Sequence, residues 1–244
     1  MKKNKTPPEA KRRVLIVDDH PFLRQGLGQV INQQEDLIMC GEVGDAPGGL
    51  AASATCHPDI VIVDISLEEG SGLELIKDIR AQQPRLPVLV LSMHHEDLYA
   101  ERALQAGASG YVMKREPVEV VMTALRKVLS GQTAVSENIV NRLVERRIRG
   151  GRSENRSPTD LLSDRELEIY RCLGEGHGTR EIAAKLGIAV STVESYRASI
   201  KQKLSIKNAT DLVSRAARYV VENREKEISA QRIFRTNLSS GRGC

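Results

Sequence analysis

The sequence predicts an α/β domain followed by a smaller all-α domain. Short apolar runs alternate with segments of helical periodicity over residues 13–130, whereas residues 161–222 have helical periodicity alone. Charge is divided in the same way: residues 14–130 contain 9 Lys and Arg against 17 Asp and Glu, and residues 131–244 contain 21 against 14. We therefore expect two domains with different partners, and the basic half favours nucleic acid.

The first domain contains five predicted strands, each followed by a predicted helix. The strands are the runs VLIV, LIMCGEV, IVIV, PVLVLS and GYVM, at residues 14–17, 37–43, 60–63, 87–92 and 110–113. The helices are the segments at about residues 21–33, 46–56, 72–82, 96–106 and 117–129. The β-branched run IVIV suits a strand buried on both faces of a parallel sheet. This alternation predicts a flavodoxin-like five-stranded parallel sheet, of order 2-1-3-4-5, with helices on both faces.

The remaining segments have the composition of connections and chain ends. SENIVNRLVERRIR predicts a basic helix, and GGRSENRSPTD has the composition of a linker. The last residues, which end in SSGRGC, predict a loosely ordered end. The predicted organisation is a basic leader at 1–12, the first domain at 13–130, a helical linker at 131–160, the all-α domain at 161–222 and a basic tail at 223–244.

The composition argues against a membrane protein and a disulfide-stabilised one. No apolar run approaches the roughly 20 residues that cross a bilayer, and the start MKKNKTPPEAKRR lacks the apolar region of a secretory signal. The four cysteines lie far apart without a CxxC pair, which argues against a zinc site or a disulfide framework. We therefore expect a cytoplasmic protein with reduced cysteines and no membrane partner.

Carboxylates end the first and third predicted strands. Asp18 and Asp19 follow VLIV, and Asp64 follows IVIV. In the predicted order these strands are neighbours, and open α/β sheets bind ligands outside the carboxyl ends of their strands. Two like charges about 4 Å apart repel by about 4 kcal/mol at an effective dielectric constant of about 20. We therefore expect a hard divalent cation, Mg²⁺, with Asp64 as a nucleophile of the kind that forms aspartyl phosphates.

Ser92 and Lys114 end the fourth and fifth predicted strands. A serine hydroxyl can donate to a phosphoryl oxygen, and a lysine supplies compensating charge. Taken singly, Asp19 could instead cap a helix, Ser92 could be a loop serine and Lys114 a surface charge. The four strand ends together favour a site. The nearby His94 and His95 are interpreted as solvated loop histidines and are left outside it.

The all-α domain contains the pattern helix, glycine turn, helix in TREIAAKLGIAVSTVESYRASIKQKL. Gly187 suits a left-handed turn between the helices, and helix-turn-helix units place the second helix in the major groove of DNA. Ser163 and Glu166 predict a capping box on the first helix of the domain. The residues of the second helix expected to face DNA or solvent are Glu194, Ser195, Arg197, Ala198, Lys201 and Lys203.

The motifs VLIVDDHPFLRQGL, DISLEEGSGLELI, VLVLSMH and AGASGYVMK together resemble the receiver domain of two-component response regulators. The resemblance implies that Asp64 accepts a phosphoryl group from a histidine kinase. It also implies that Mg²⁺ is held by Asp19, Asp64 and the backbone carbonyl of Ser66. Asp18 is then expected to act on the ion through water.

The same resemblance implies roles for the residues at the other strand ends. Ser92 and Lys114 are expected to contact the phosphoryl group, and Tyr111 is expected to move when Ser92 does. The chain departs from the family where Glu68 replaces a frequent proline four residues after the acceptor, and where no proline follows Lys114. The first departure puts the shape of the local loop in doubt, and not the chemistry.

A helix pair alone occurs in many bundles, but LLSDRELEIYRCLGEGHGTREIAAKLGI followed by STVESYRASIKQKL resembles the NarL/FixJ-type (LuxR-type) DNA-binding domain. The resemblance places Ser195 and Ala198 nearest the bases. Glu194 could accept from cytosine N4, or it could close a capping box with Ser191, and we favour the box. Residues predicted to contact phosphates are Arg180, Thr192, Tyr196, Arg197 and Lys201.

Together these features predict a DNA-binding transcriptional response regulator that is activated by phosphorylation of Asp64 and forms a homodimer when phosphorylated. Beyond phosphorylation and dephosphorylation of its own Asp64, we expect no enzymatic activity. An alternative from another class is a Mg²⁺-dependent phosphohydrolase with Asp64 as its nucleophile. A third is a receiver that acts only as a protein-binding module, its helical half having lost DNA binding.

Overall fold

The computed structural model describes residues 10–67, 69–148 and 158–223. The chain divides into two compact units, with the boundary between Gly150 and Gly151. The predicted leader and tail lie largely outside the described residues, and Glu68 also lies outside them. Within the described residues, no helix is both long enough and apolar enough to span a membrane.

The first unit is built on one parallel five-stranded sheet. Its strands are β1 (Arg12–Val17), β2 (Leu37–Val43), β3 (Ile60–Val63), β4 (Val88–Ser92) and β5 (Gly110–Met113). Their order is β2-β1-β3-β4-β5, as predicted. β1 and β3 are paired in register from Val14 with Ile60 to Val17 with Val63, so both strands end at the same level. The sheet therefore brings the residues after Val17 and Val63 to one edge.

Helices cover the two faces of this sheet. They are α1 (Pro21–Asn32), α2 (Ala46–Thr55), α3 (Gly72–Gln82), α4 (Glu96–Ala106) and α5 (Val118–Leu129). Every residue of β3 and the last four of β1 are buried, and their aliphatic side chains form the centre of the core. Burial on both faces explains why these strands are unbroken apolar runs and do not alternate.

Residues after α5 continue to pack on the first unit. Ala134 pairs with Gly110 in an isolated parallel bridge, and the following helix α6 (Glu137–Ile148) packs on α4. Ile139 is buried, and Arg142 forms an ion pair with Asp97 of α4. Part of the segment predicted as a helical linker thus forms α6, while residues 149–157 lie outside the described residues.

The second unit is helical. After a 3₁₀ turn at Pro158–Leu161 it contains α7 (Asp164–Gly174), α8 (Thr179–Lys185), α9 (Val190–Lys203) and α10 (209–223). The turn from α8 to α9 passes through Gly187, whose φ of +62° is the left-handed conformation predicted for it. The buried core side chains of this unit include Leu167, Ile169, Ile182, Leu186, Val193, Ile200, Leu212 and Ala216.

Glu166 of α7 forms hydrogen bonds with two residues of α9. The predicted capping box is confirmed, because the Ser163 hydroxyl accepts from the Glu166 N–H while the Glu166 carboxylate accepts from the Ser163 N–H. The same carboxylate accepts from Ser199 Oγ and Lys203 Nζ, each at 2.6 Å. Lys203 thus joins α9 to α7 through this carboxylate and, with 40% of its side chain exposed, also faces solvent as expected. Burial alone would raise the pKa of Glu166, but Lys203, Ser199 and the Ser163 N–H lower it to about 2.

Glu166→Gln is expected to destabilise the protein by roughly 1–3 kcal/mol at pH 7, because it weakens hydrogen bonds to a charged acceptor. The folded-state pKa of about 2 lies below the ordinary 4.5, so the stabilisation is complete above pH 4.5 and is lost as the pH falls toward 2. Urea unfolding at pH 7 and at pH 3, followed by circular dichroism, measures it. Glu222→Gln, at an exposed position of α10, is the control. Equal losses at both pH values would contradict the assignment.

Candidate functional site

Two buried carboxylates and one lysine meet at the carboxyl edge of the sheet. Asp18 follows β1 and Asp64 follows β3, and each is 2% exposed. Backbone hydrogen bonds fix both residues, since Asp18 N–H donates to Val43 and Asp64 N–H donates to Val17. Lys114 Nζ lies 2.7 Å from Asp18 Oδ2 and 2.7 Å from Asp64 Oδ2. The predicted convergence of these strand ends is therefore present in the structure.

The acidic group contains more negative charge than Lys114 can neutralise. Burial raises the pKa of Asp64 to about 6, although Lys114 acts in the opposite direction. Burial also acts to lower the pKa of Lys114, but the two carboxylates outweigh it and the pKa is raised. Asp64 is therefore ionised at neutral pH, and Lys114 remains an ammonium ion. One lysine cannot balance the charges of Asp18, Asp19 and Asp64.

Asp19 and His20 complete the acidic group on the side of α1. His20 is the N-cap residue of α1 and its side chain makes no capping hydrogen bond, so Asp19 does not cap this helix. Asp19 Oδ1 is buried and lies 2.5 Å from His20 Nδ1, but among the described residues no donor reaches it with hydrogen-bond geometry. A buried carboxylate oxygen without a proper donor is suited to a cation.

The donor set also fits a divalent cation. Asp18, Asp19, His20 and Asp64 each offer one ligand atom, and these four atoms all lie within 4.8 Å of one another. Carboxylate oxygens are the ligands that Mg²⁺ prefers, and a flanking imidazole is compatible with several divalent ions. Ser66 adjoins this group, because its N–H donates to Asp64 Oδ1 at 3.2 Å.

A hydrogen-bonded network links the site to β5. Ser92 is fully buried at the end of β4, and its Oγ accepts from the His94 N–H. The hydroxyl of Tyr111, which is 3% exposed, donates to the His94 carbonyl at 2.8 Å. The His94 ring lies 2.7 Å from Ser66 Oγ and stacks on Tyr99 at 4.7 Å. The interpretation of His94 as a solvated loop residue was therefore wrong.

The predicted site did not include His20 or His94, because neither residue ends a strand or directly follows one. His20 directly follows the acid pair, which was a usable signal. His94 offered only its position two residues after Ser92. His95 caps α4, since its Nδ1 accepts weakly from the Asp97 N–H at 3.4 Å, so it has a structural role.

In the second unit, α9 is the second helix of the helix-turn-helix pair. Its N-cap is Ala189, so Ser191 lies inside the first turn and cannot form the predicted capping box with Glu194. That preferred interpretation was wrong. Glu194 instead accepts from Thr179 of α8 and from Arg197, one turn further along α9.

The residues predicted to contact DNA differ in how far their side chains are exposed. Arg197 is half-buried, with 18% of its side chain exposed, and donates to both Thr179 and Glu194. Ser195 is exposed but donates to the Ser191 carbonyl, as a helical serine often does. The exposed members of the set are Arg180, Glu194, Ser195 and Ala198, and the half-buried members are Thr192, Tyr196, Arg197 and Lys201.

Comparisons with known proteins match each of the two units to a protein family. Residues 14–126 match the response regulator receiver domain, and residues 160–216 match the luxR family of bacterial regulatory proteins. Oxygen regulatory protein NreC of Staphylococcus epidermidis is 33% identical over 209 residues, which cover 84% of this chain and 96% of NreC.

Solved structures of RcsB from Salmonella enterica serovar Typhimurium also match. RcsB bound to promoter rprA in the presence of phosphomimetic BeF₃⁻ is 28% identical, with a TM-score of 0.60 over 85% of this chain and 99% of that one. A structure of two RcsB dimers bound to two parallel DNAs has a TM-score of 0.51 at 28% identity, over 84% of this chain and 97% of that one. The chain therefore belongs to the NarL family of two-component response regulators, which join a receiver domain to a LuxR-type DNA-binding domain.

Proposed function

We propose that Asp64 accepts a phosphoryl group from a histidine kinase and that this modification controls DNA binding by the second unit. The observation that carries the proposal is the meeting of buried Asp64 with Asp18 and Lys114 at the carboxyl edge of the sheet. Phosphoryl transfer needs a positioned nucleophile and positive charge around the transferred group, and little covalent chemistry from the protein. This edge offers both.

In the proposed transfer, a carboxylate oxygen of Asp64 attacks the phosphorus of a phosphohistidine. The new O–P bond forms as the P–N bond of the donor breaks. The leaving nitrogen keeps the electron pair of that bond, and the other ring nitrogen of the donor carries the proton, so that a neutral imidazole leaves. With a pKa of about 6, Asp64 is ionised at neutral pH and ready to attack. Lys114 supplies positive charge to the phosphoryl oxygens, and the Ser92 hydroxyl can donate to one of them.

We also propose that Mg²⁺ is held by Asp19, Asp64 and the carbonyl of Ser66, with Asp18 acting through water. When bound, the ion neutralises charge on the acids and on the transferred phosphoryl oxygens. The support for this site is the excess of carboxylates over Lys114 and the buried Asp19 oxygen without a proper donor.

The hydrogen bonds of Ser92 and Tyr111 suggest how the signal leaves the site. Both residues contact the backbone of His94, so a shift of Ser92 toward a phosphoryl group changes the setting of the Tyr111 hydroxyl. We propose that phosphorylation changes the populations of two arrangements of Tyr111 and the β4–α4 loop. Such a change requires that the phosphoryl group interacts differently with the two states.

For the second unit we propose that α9 enters the major groove. Arg180, Thr192, Tyr196, Arg197 and Lys201 then contact phosphates, and Ser195 and Ala198 lie nearest the bases. Arg197 is already bound by Glu194 and Thr179, so its use on DNA requires it to share or exchange those partners.

We further propose that the phosphorylated protein is a homodimer in the cytoplasm, reading two half-sites. RcsB, which this chain resembles, binds DNA as a dimer. Pairing of two recognition helices extends the readout beyond one half-site. The phosphohydrolase alternative gains no support, since both matched families are those of regulators.

The first test is phosphorylation itself. Asp64→Asn is expected to take no phosphoryl group from a small phosphodonor with Mg²⁺, whereas the wild type gains one, as read by intact mass. Asp59→Asn is the matched control, because Asp59 precedes the same strand that Asp64 follows. Labelling of Asp64→Asn at the wild-type level would refute the assignment.

The burial of Asp64 gives a second expectation, on stability. Its folded-state pKa of about 6 lies above the ordinary 3.8, so the carboxylate disfavours folding above pH 6 and has no effect below 3.8. Without divalent ions, Asp64→Asn should raise the free energy of unfolding by roughly 2–3 kcal/mol at pH 7.5. This increase should disappear toward pH 4. Urea unfolding at the two pH values measures it.

Asp36→Asn is the control for this measurement. Arg126 lowers the pKa of the exposed Asp36 carboxyl, so this carboxylate favours folding. Asp36→Asn should therefore lower the free energy of unfolding at pH 7.5, by less than about 1 kcal/mol, whereas Asp64→Asn should raise it. A loss of stability at pH 7.5 in Asp64→Asn would show that burial of the charge is not unfavourable.

The DNA interface is tested through Lys201. Lys201→Ala should weaken binding of unrelated duplexes to a similar degree and lower the slope of log K against log salt by about 1, because one phosphate contact is lost. Fluorescence anisotropy at several salt concentrations gives the slope. Lys127→Ala, which removes an exposed lysine of α5, should leave it unchanged. An unchanged slope in Lys201→Ala would remove Lys201 from the interface.

A further inference from the structure

We propose that Glu194 is a specificity-determining residue of α9, which accepts a hydrogen bond from N4 of a cytosine in the major groove. The inference rests on the proposed entry of α9 into the groove and goes beyond it, because it assigns a base to one side chain. Arg197 and Thr179 are then positioning residues, which hold the Glu194 carboxylate and do not themselves read that base.

The exposed stripe of α9 carries a carboxylate. The members of this stripe recur at helical spacing, are all exposed, and are Ser191, Glu194, Ser195, Ala198 and Gln202. Val193 and Ile200, on the opposite side of the helix, are buried. Glu194 is the one charged member of the stripe. A carboxylate that faces a polyanion weakens every complex in which no donor meets it.

The contacts of Glu194 use one of its two carboxylate oxygens. Oε1 accepts from Thr179 Oγ1 at 3.0 Å and from Arg197 Nη1 at 3.1 Å. Arg197 Nη1 also donates to Thr179 Oγ1, so the three side chains form a closed group of hydrogen bonds. Among the described residues, no donor contacts Oε2 of Glu194. That oxygen keeps its acceptor capacity on a side chain that is 56% exposed.

Arg197 makes this acid compatible with DNA. Its guanidinium lies 3.1 Å from the carboxylate, so the ion pair as a whole adds no net charge beside the phosphates. Thr179 lies on α8, so partners from two helices fix the carboxylate before DNA binds. A fixed acceptor loses less rotamer entropy on binding than a mobile one.

The chemistry of a carboxylate selects the base. An ionised carboxylate only accepts hydrogen bonds, and cytosine N4 is a major-groove donor without an acceptor beside it on the same base. Adenine N6 is also a donor, but the adjacent N7 is an acceptor and repels a carboxylate. Guanine and thymine present acceptors at O6, N7 and O4, which leave Oε2 of Glu194 without a partner. Glu194 therefore favours a cytosine at the position that it reaches in each half-site.

The test uses the full chain and duplexes that the wild type selects from a random pool. Fluorescence anisotropy on the four base-pair variants of each half-site position gives the preference at that position. In the wild type, one position is expected to favour cytosine by roughly fivefold or more in Kd. In Glu194→Gln this preference should move to adenine, which glutamine reads through N6 and N7, while the other positions keep theirs. Glu222→Gln, on α10, is the control and should keep the cytosine.

A pair of variants at Thr179 tests the positioning of the carboxylate. Thr179→Val removes the hydroxyl that joins Glu194 and Arg197, and it should lower the cytosine preference by about twofold or more, because the carboxylate must then be ordered on binding. Thr179→Ser keeps a hydroxyl and should retain the wild-type preference. A merely structural role of Thr179 would weaken binding of all base-pair variants equally and leave the preference unchanged.

The proposal is overturned if Glu194→Gln binds all base-pair variants more weakly by one factor, as a structural role predicts. It is also overturned if Glu194→Gln binds all of them more tightly by one factor, as simple repulsion from phosphates predicts. A wild type that binds DNA without a cytosine preference at any position would refute the base readout and leave the proposed DNA binding intact. A wild type that selects no duplex would refute both.

Discussion

The contact of Lys114 with both Asp18 and Asp64 is the interaction on which the first unit's site depends. Two carboxylates that are each 2% exposed would repel strongly without an ammonium ion 2.7 Å from both. The lysine does not balance the whole group, since Asp19 adds a third acid at the same edge. The remaining negative charge supports the proposed cation at this edge.

The parallel sheet is what makes this crowding possible. Pairing of β1 with β3 in register places Asp18 and Asp64 side by side, and the pairing of β4 with β5 does the same for Ser92 and Lys114. All four residues directly follow or end strands buried on both faces, so their backbones are fixed by hydrogen bonds of the sheet. The charged groups are therefore held at the ends of the buried central strands of the unit.

The two units use buried carboxylates in opposite ways. Burial dominates at Asp64 and raises its pKa to about 6, whereas at Glu166 the donors outweigh burial and lower the pKa to about 2. Glu166 receives hydrogen bonds from Ser163, Ser199 and Lys203, and it joins two helices. The donors of Asp64, which are Lys114 and the Ser66 N–H, do not outweigh its burial.

The sequence by itself determined the strands, their order, the four strand ends and the capping box at Ser163, because apolar periodicity and cap chemistry are local properties of the chain. Only the tertiary structure decided that His94 contacts Ser66, that Lys203 binds Glu166, and that Glu194 pairs with Arg197 and Thr179 and not with Ser191. Those contacts join different loops or helices, or depend on the residue at which α9 begins. Loop paths and helix starts follow from packing, which no local pattern encodes.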